Sequence, residues 1–256
     1  MKVFCYFVEP ASYTLDLVKN IHERMQIDYC FIKSDTFAFA KNAINRISLD
    51  QFSLFHKLHF VFSKFIRHNF IIINGYNNYP FLLTFVLNLF SFNKRFIAIE
   101  SDTKLSIPAN VFKRVIKFVY LFVIFRSKYV LGFAGGNYSH KDLFRYYGMS
   151  EDRIFLMPMM VDNQKYYQEI KEFPEVFTFL FVGRLIDSKN VDLLCERFIK
   201  SFSDKNARLI IVGGGDNLYN FKKEYLHPKI EFKGSVFGEE LIRLYHDSSV
   251  FVFPSS

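Results

Sequence analysis

Three turns in the last third of the chain carry the residue types needed to hold a phosphorylated ligand. The first lies in FVGRLIDSKN, 181–190, where an apolar run closes at Gly183 and Arg184 and Lys189 flank a turn that opens a helical pattern. Glycine lets a backbone pass close to a ligand, and a helix N-terminus with two cations suits a diphosphate. The second, IIVGGGDN at 210–217, closes another apolar run with Gly213, Gly214 and Gly215 and puts Asp216 where a helix N-cap is expected. The third, FKGSVFGEELIRLY at 232–245, ends a strand pattern at Gly234 and starts a helical one near Gly238, leaving backbone groups that suit the edge of a base. Taken singly, each turn is also an ordinary strand-to-helix connection. The glycine spacing is not that of the six-residue dinucleotide fingerprint.

These turns need strands behind them and helices after them, and the chain supplies both. Apolar runs at 2–8, 28–33, 70–74, 95–100, 128–134 and 153–158 predict strands. Helical patterns fall between them, near 14–25, 51–67, 80–92, 110–126 and 138–147. Strands alternating with helices predict a parallel sheet covered on both faces, whose strands read as continuous apolar runs. The polar stretch VDNQKYYQEIKEFPE breaks this rhythm. A second series follows, with strands at 177–183, 207–213, 229–234 and 249–254 and helices at 190–202, 217–226 and 238–247. In the first of these helices Val191, Leu194, Cys195 and Phe198 form one buried stripe. The expected layout is a first domain over 1–165, a linker over 166–176 and a second domain over 177–256. Each domain is a Rossmann-like, doubly wound α/β unit. The second has four strands where such units usually have five or six, so it reads as incomplete.

Half of the 256 residues are hydrophobic, which supplies a sizeable core. The net charge of +8 is unevenly placed. Residues 1–170 carry 21 Lys and Arg against 13 Asp and Glu, whereas residues 171–256 carry 12 of each. Such asymmetry points to an anionic partner of the first domain. Two segments there suit an anionic membrane surface: 79–95, and 110–128 with its apolar body and cations. The competing reading is a pair of sheet-covering helices with solvated ends. Base-stacking aromatic and basic motifs of nucleic-acid modules are absent, so no nucleic-acid partner is expected. Cys5, Cys30 and Cys195 form no CxxC pair and read as buried thiols in a reducing compartment. The start, MKVFCYFVEP, reads as a first strand rather than a signal peptide, and no run reaches the ~18 apolar residues of a spanning helix. His56, His59 and His68 share one segment without carboxylate companions, and no metal site is expected. The compartment inferred is the cytoplasm, with peripheral association at the cytoplasmic face of the membrane.

The order and spacing of the three turns, ending in LYHDSSVFVFPSS, resemble the group-one glycosyltransferases, the large retaining family four with the two-domain GT-B fold. The resemblance covers 177–256 most fully and 95–165 more loosely, through IAIESDTKLS and YYGMSEDRIFLMPMMVD. It implies that Arg184 and Lys189 bind the donor diphosphate. It also implies that Ser235 and Val236 frame the base and that Gly183 and Gly213 to Asp216 line the same nucleotide pocket. The chain departs from the family in three places. The loop VEPASYT lacks the Gly-Gly pair found after the first strand, and IESD stands where many members carry a His after the fourth. This leaves Glu100, Ser101 and Asp102 as acceptor-side candidates. After FPS the family continues into two glutamates separated by seven residues, which this chain does not reach, so it reads as truncated there.

The implied function is transfer of a sugar from a nucleotide diphosphate donor to a cell-surface polysaccharide or lipid-linked acceptor. No cofactor or metal is expected, since the nucleotide sugar is a substrate. The alternative is a non-catalytic remnant or nucleotide-binding module without the donor-side glutamates.

Overall fold

The computed structural model describes residues 1–22, 27–34, 47–158, 161, 163–167, 174–215 and 217–255, and the chain divides into two units, Met1–Val161 and Asp162–Ser256. Unit 1 runs β1 (Val3–Phe7), α1 (Ser12–His22), β2 (Ile27–Phe31), α2 (Leu54–Arg67), β3 (Phe70–Asn74), α3 (Tyr79–Phe90), β4 (Phe96–Ser101), α4 (Val111–Phe125), β5 (Val130–Ala134), α5 (Lys141–Tyr146) and β6 (Ile154–Leu156). Its six strands are parallel in the order β2-β1-β3-β4-β5-β6. The order reverses between β1 and β3, which is where ligands enter an open sheet of this kind.

Alternation along the strands decides which helix covers which face. Phe4, Tyr6, Ile71, Ile73, Ile97 and Ile99 share one face and are buried with Val61 and Phe65 of α2, Phe81 and Phe85 of α3, and Leu121 and Phe125 of α4. Val3, Cys5 and Phe7 point the other way and pack with Val18 of α1. Side-chain caps start the covering helices: Ser53 accepts from the His56 amide, Asn78 from Phe81 and Asn110 from Lys113. Two of the histidines have clear structural partners. His68 is buried between the Lys64 carbonyl and the Asp28 carboxylate, 2.9 Å from each. His140 closes a capping box with Asn137.

Unit 2 runs α6 (Asn163–Tyr166), β7 (Phe177–Val182), α7 (Val191–Phe202), β8 (Ala207–Val212), α8 (Leu218–Glu224), β9 (Ile230–Gly234), α9 (Gly238–His246) and β10 (Val250–Phe251). Its four parallel strands lie in the order β10-β7-β8-β9, so the reversal falls between β7 and β10. The stripe read in α7 is buried at Val191, Cys195 and Phe198 against Leu209 and Ile211, with Leu194 packed at its edge. The GT-B layout of two parallel α/β units is therefore present. Two details differ from the sequence reading. The polar stretch holds the short helix α6, where no element was expected, and β10 pairs over two residues rather than six. Much of the segment read as linker lies outside the described residues, as does the end of the first helix.

Candidate functional site

In unit 2 the strand order brings the three turns to one rim. The Gly183 amide donates to the Val212 carbonyl at 3.0 Å, and the Gly213 amide donates to the Gly234 carbonyl at 2.8 Å. The Leu185 amide then donates to the Gly214 carbonyl at 2.9 Å. The glycines make this stitching possible. A Cβ on Gly213, whose φ is +149°, would lie 1.8 Å from the Gly183 carbonyl oxygen, and one on Gly215 would lie 2.7 Å from that of Leu185. The glycine types at 213 and 215 thus answer first to loop-on-loop contact. Gly214 faces the Ser235 hydroxyl, which a Cβ would approach to 2.7 Å. Val236 is buried against Leu180, Ile210 and Val212, so its backbone rather than its side chain is presented at the rim. Asp216 lies outside the described residues, while Asn217 donates to the Asp187 carboxylate at 2.8 Å and ties the second turn to the first.

The first turn sits at the β7/β10 reversal, and the residues after β10 close over it. Lys189 Nζ donates to the Ser255 hydroxyl at 3.0 Å and lies 4.8 Å from the centre of the Phe253 ring. The Ser255 hydroxyl donates on to the Ser188 carbonyl at 3.2 Å. Asn190 takes a left-handed backbone, φ +50°, at the start of α7, and its amide donates to the Pro254 carbonyl at 2.7 Å. Arg184 is exposed on the same turn. Two cations, the first turn of α7 and three glycine-bearing loops therefore share one rim, an arrangement suited to an anion with two phosphoryl groups. Asn190 and Ser255 are members that sequence reasoning missed. Asn before a helical pattern was the one available signal, and nothing in the sequence pointed to Ser255.

Unit 1 has a cleft of about 610 Å³ at its own reversal, between the ends of β1, β3 and β4, the first turns of α1 and the residues after β6. Glu100, Ser101 and Asp102 all line it, with Tyr13 and Leu17 of α1 and Met157 opposite. Asn74 and Glu100 are register partners of β3 and β4, and the Asn74 amide donates to the Glu100 carboxylate. Burial pushes the Glu100 carboxyl up to about 7; the Asn74 hydrogen bond opposes this, and the Asp102 charge adds to it. A carboxyl poised near neutrality in a largely apolar cleft can accept or donate a hydrogen bond to a hydroxyl ligand.

Residues 176–256 match the family model for glycosyl transferases group 1. An uncharacterized glycosyltransferase of Methanocaldococcus jannaschii is 35% identical over 85 residues, which is 30% of this chain and 20% of that protein, so the chain spans about a fifth of the curated relative's length. Among solved structures, HepE of Anabaena in complex with UDP and glucose is 14% identical, with all of this chain and 74% of that one covered at a TM-score of 0.68. The same protein with UDP-glucose superposes at 0.70 and 13% identity. The lipopolysaccharide outer core galactosyltransferase WaaB in its apo form is 14% identical at a TM-score of 0.61, with the same coverage. At these identities the structural likeness shows the fold.

Proposed function

We propose that this protein transfers a sugar from a nucleoside diphosphate donor to an acceptor hydroxyl, with retention at the anomeric carbon and without a metal ion. The bond from the anomeric carbon to the diphosphate oxygen breaks, the acceptor oxygen takes its place, and the acceptor's hydroxyl proton leaves with the departing diphosphate. Negative charge then grows on the departing diphosphate. Arg184, Lys189 and the opening amides of α7 would stabilise that charge, which makes the diphosphate a better leaving group. Ser235 and the Val236 backbone would frame the base, beside Gly183 and Gly213 to Asp216. Glu100, Ser101 and Asp102 would meet the acceptor. A cell-surface polysaccharide or lipid-linked acceptor would hold the protein peripherally at the cytoplasmic face of a membrane.

The observation that carries this reading is the convergence of three glycine-bearing turns and Lys189 at the β7/β10 reversal. The match of 176–256 to the glycosyl transferase model and the UDP-sugar complexes of HepE support it. The test is release of nucleoside diphosphate from a panel of UDP- and GDP-sugars. Arg184→Ala and Lys189→Ala should each lower turnover by about a hundredfold. Undiminished turnover in both variants would overturn the assignment. Nucleotide binding by the wild type with no release of diphosphate would favour the binding-module reading instead.

A further inference from the structure

The outer layer of unit 1 is unusual for a helix layer over a parallel sheet. On α2, Leu54, Phe55, Leu58, Phe62 and Ile66 are exposed, with Phe55 77% accessible. On α4, Val111, Phe112, Val115, Val119 and Val123 repeat the same i, i+1, i+4, i+8, i+12 spacing, and Phe112 is 74% accessible. At about 100° per residue each set falls within less than half of its helix circumference, opposite the buried Leu121, Ile124 and Phe125 on α4 and beside the buried Val61 and Phe65 on α2. Between them in the strand order, α3 exposes Leu82, Val86 and Leu89 and ends at Phe90, 82% accessible. Three neighbouring helices that share one core thus each expose apolar side chains beyond it, on the far side of α3 and α4 and on the flank of α2.

The charge on this layer has one sign. None of α2, α3 and α4 contains an acidic residue. Residues 51–141 hold twelve Lys and Arg against two carboxylates, Glu100 and Asp102, and both of those line the cleft at the other side of the sheet. Arg67, Lys113, Arg114 and Lys128 are exposed at the helix ends or beside the apolar faces. Among the described residues no helix is long and apolar enough to cross a membrane. A broad exposed apolar face marks an interaction surface, and a rim of cations without carboxylates selects an anionic partner. A second copy of the chain would bring two cationic rims together.

We infer that the outward faces of α2, α3 and α4 form one docking surface for an anionic lipid bilayer. Apolar side chains enter the headgroup boundary while Arg67, Lys113, Arg114 and Lys128 meet lipid phosphates. This deepens the peripheral location proposed above by naming the surface, and its test needs no sugar transfer, so the two can fail separately.

The test is co-sedimentation of the full chain with phosphatidylcholine vesicles, with and without phosphatidylglycerol. Wild-type protein should bind the anionic vesicles, bind the neutral ones at least about tenfold more weakly, and come off as salt rises. The exposed pair Phe55→Ser/Phe112→Ser and the charge pair Lys113→Glu/Arg114→Glu should each weaken anionic binding about tenfold or more, with unchanged unfolding midpoints. The charge pair touches no core residue, so it decides the matter if the serine pair proves unstable. Equal binding to both vesicle types, no binding to either, or wild-type binding by the charge pair would overturn the inference. So would a dimer in light scattering that the serine pair dissociates.

Discussion

The two units wind the same way and present opposite surfaces. In unit 1 the helices α2, α3 and α4 bury apolar residues on the sheet and show others to the outside, with cations and no carboxylates among them. In unit 2 the helices alternate in sign: α7 shows Asp192, Glu196 and Arg197, and α9 shows Glu239, Glu240 and Arg243. Their sites differ in the same sense. The unit 2 rim gathers Arg184, Lys189 and the first turn of α7, groups that suit an anion. The unit 1 cleft is largely apolar, with one buried carboxyl near neutrality. One architecture thus carries two kinds of rim because the chemistry sits in the turns and outer faces, while the sheet only places them.

The comparison can be broken in unit 2 first. Gly213→Ala forces a Cβ into the Gly183 carbonyl and should cost unit 2 about 3 kcal/mol or more, read as a lower denaturation midpoint. The same change at Gly214 meets only the end of the Ser235 side chain and should cost about 1 kcal/mol or less. Equal losses at the two positions would refute the account of how the turns interlock.

Unit 1 should be sensitive to pH through Glu100. Because the Glu100 carboxyl is raised from 4.5 to about 7 in the folded protein, its contribution is fully present below about pH 4.5 and is lost as pH rises through about 7. That shift corresponds to at most about 3 kcal/mol. Glu100→Gln should flatten the decline in a set of unfolding curves taken across this window, and an unchanged slope would remove the carboxyl from the account. At the small end, Arg145→Ala breaks exposed contacts to Asp142 and Glu151 and should leave the unfolding midpoint where it was.

Much of this arrangement is legible in the sequence, for a physical reason. Strands buried on both faces read as uninterrupted apolar runs, so FIIIN and ARLIIV announce themselves, and a stripe such as Val191, Cys195 and Phe198 marks a helix against them. Contacts between residues far apart in the chain are harder to read. The Asn74–Glu100 pair depends on the register of β3 with β4, and the Lys189–Ser255 bond on β10 returning beside β7. Neither register is written in local spacing. The three glycines at 213 to 215 suggest close approach of a ligand, and two of them turn out to be pressed against neighbouring backbone. The outward apolar faces were half visible. The sequence reading singled out 79–95 and 110–128, but α2 joins them only once the sheet order sets the three helices side by side.

The central claim is that the β7/β10 rim of unit 2 holds a nucleoside diphosphate through Arg184 and Lys189. Isothermal titration of the protein with UDP and with GDP tests it most directly. The account predicts that at least one of them binds, and that Arg184→Ala and Lys189→Ala each weaken that binding about tenfold or more at unchanged fold stability. Binding of equal strength in the wild type and both variants would contradict it, as would a wild type that binds neither nucleotide.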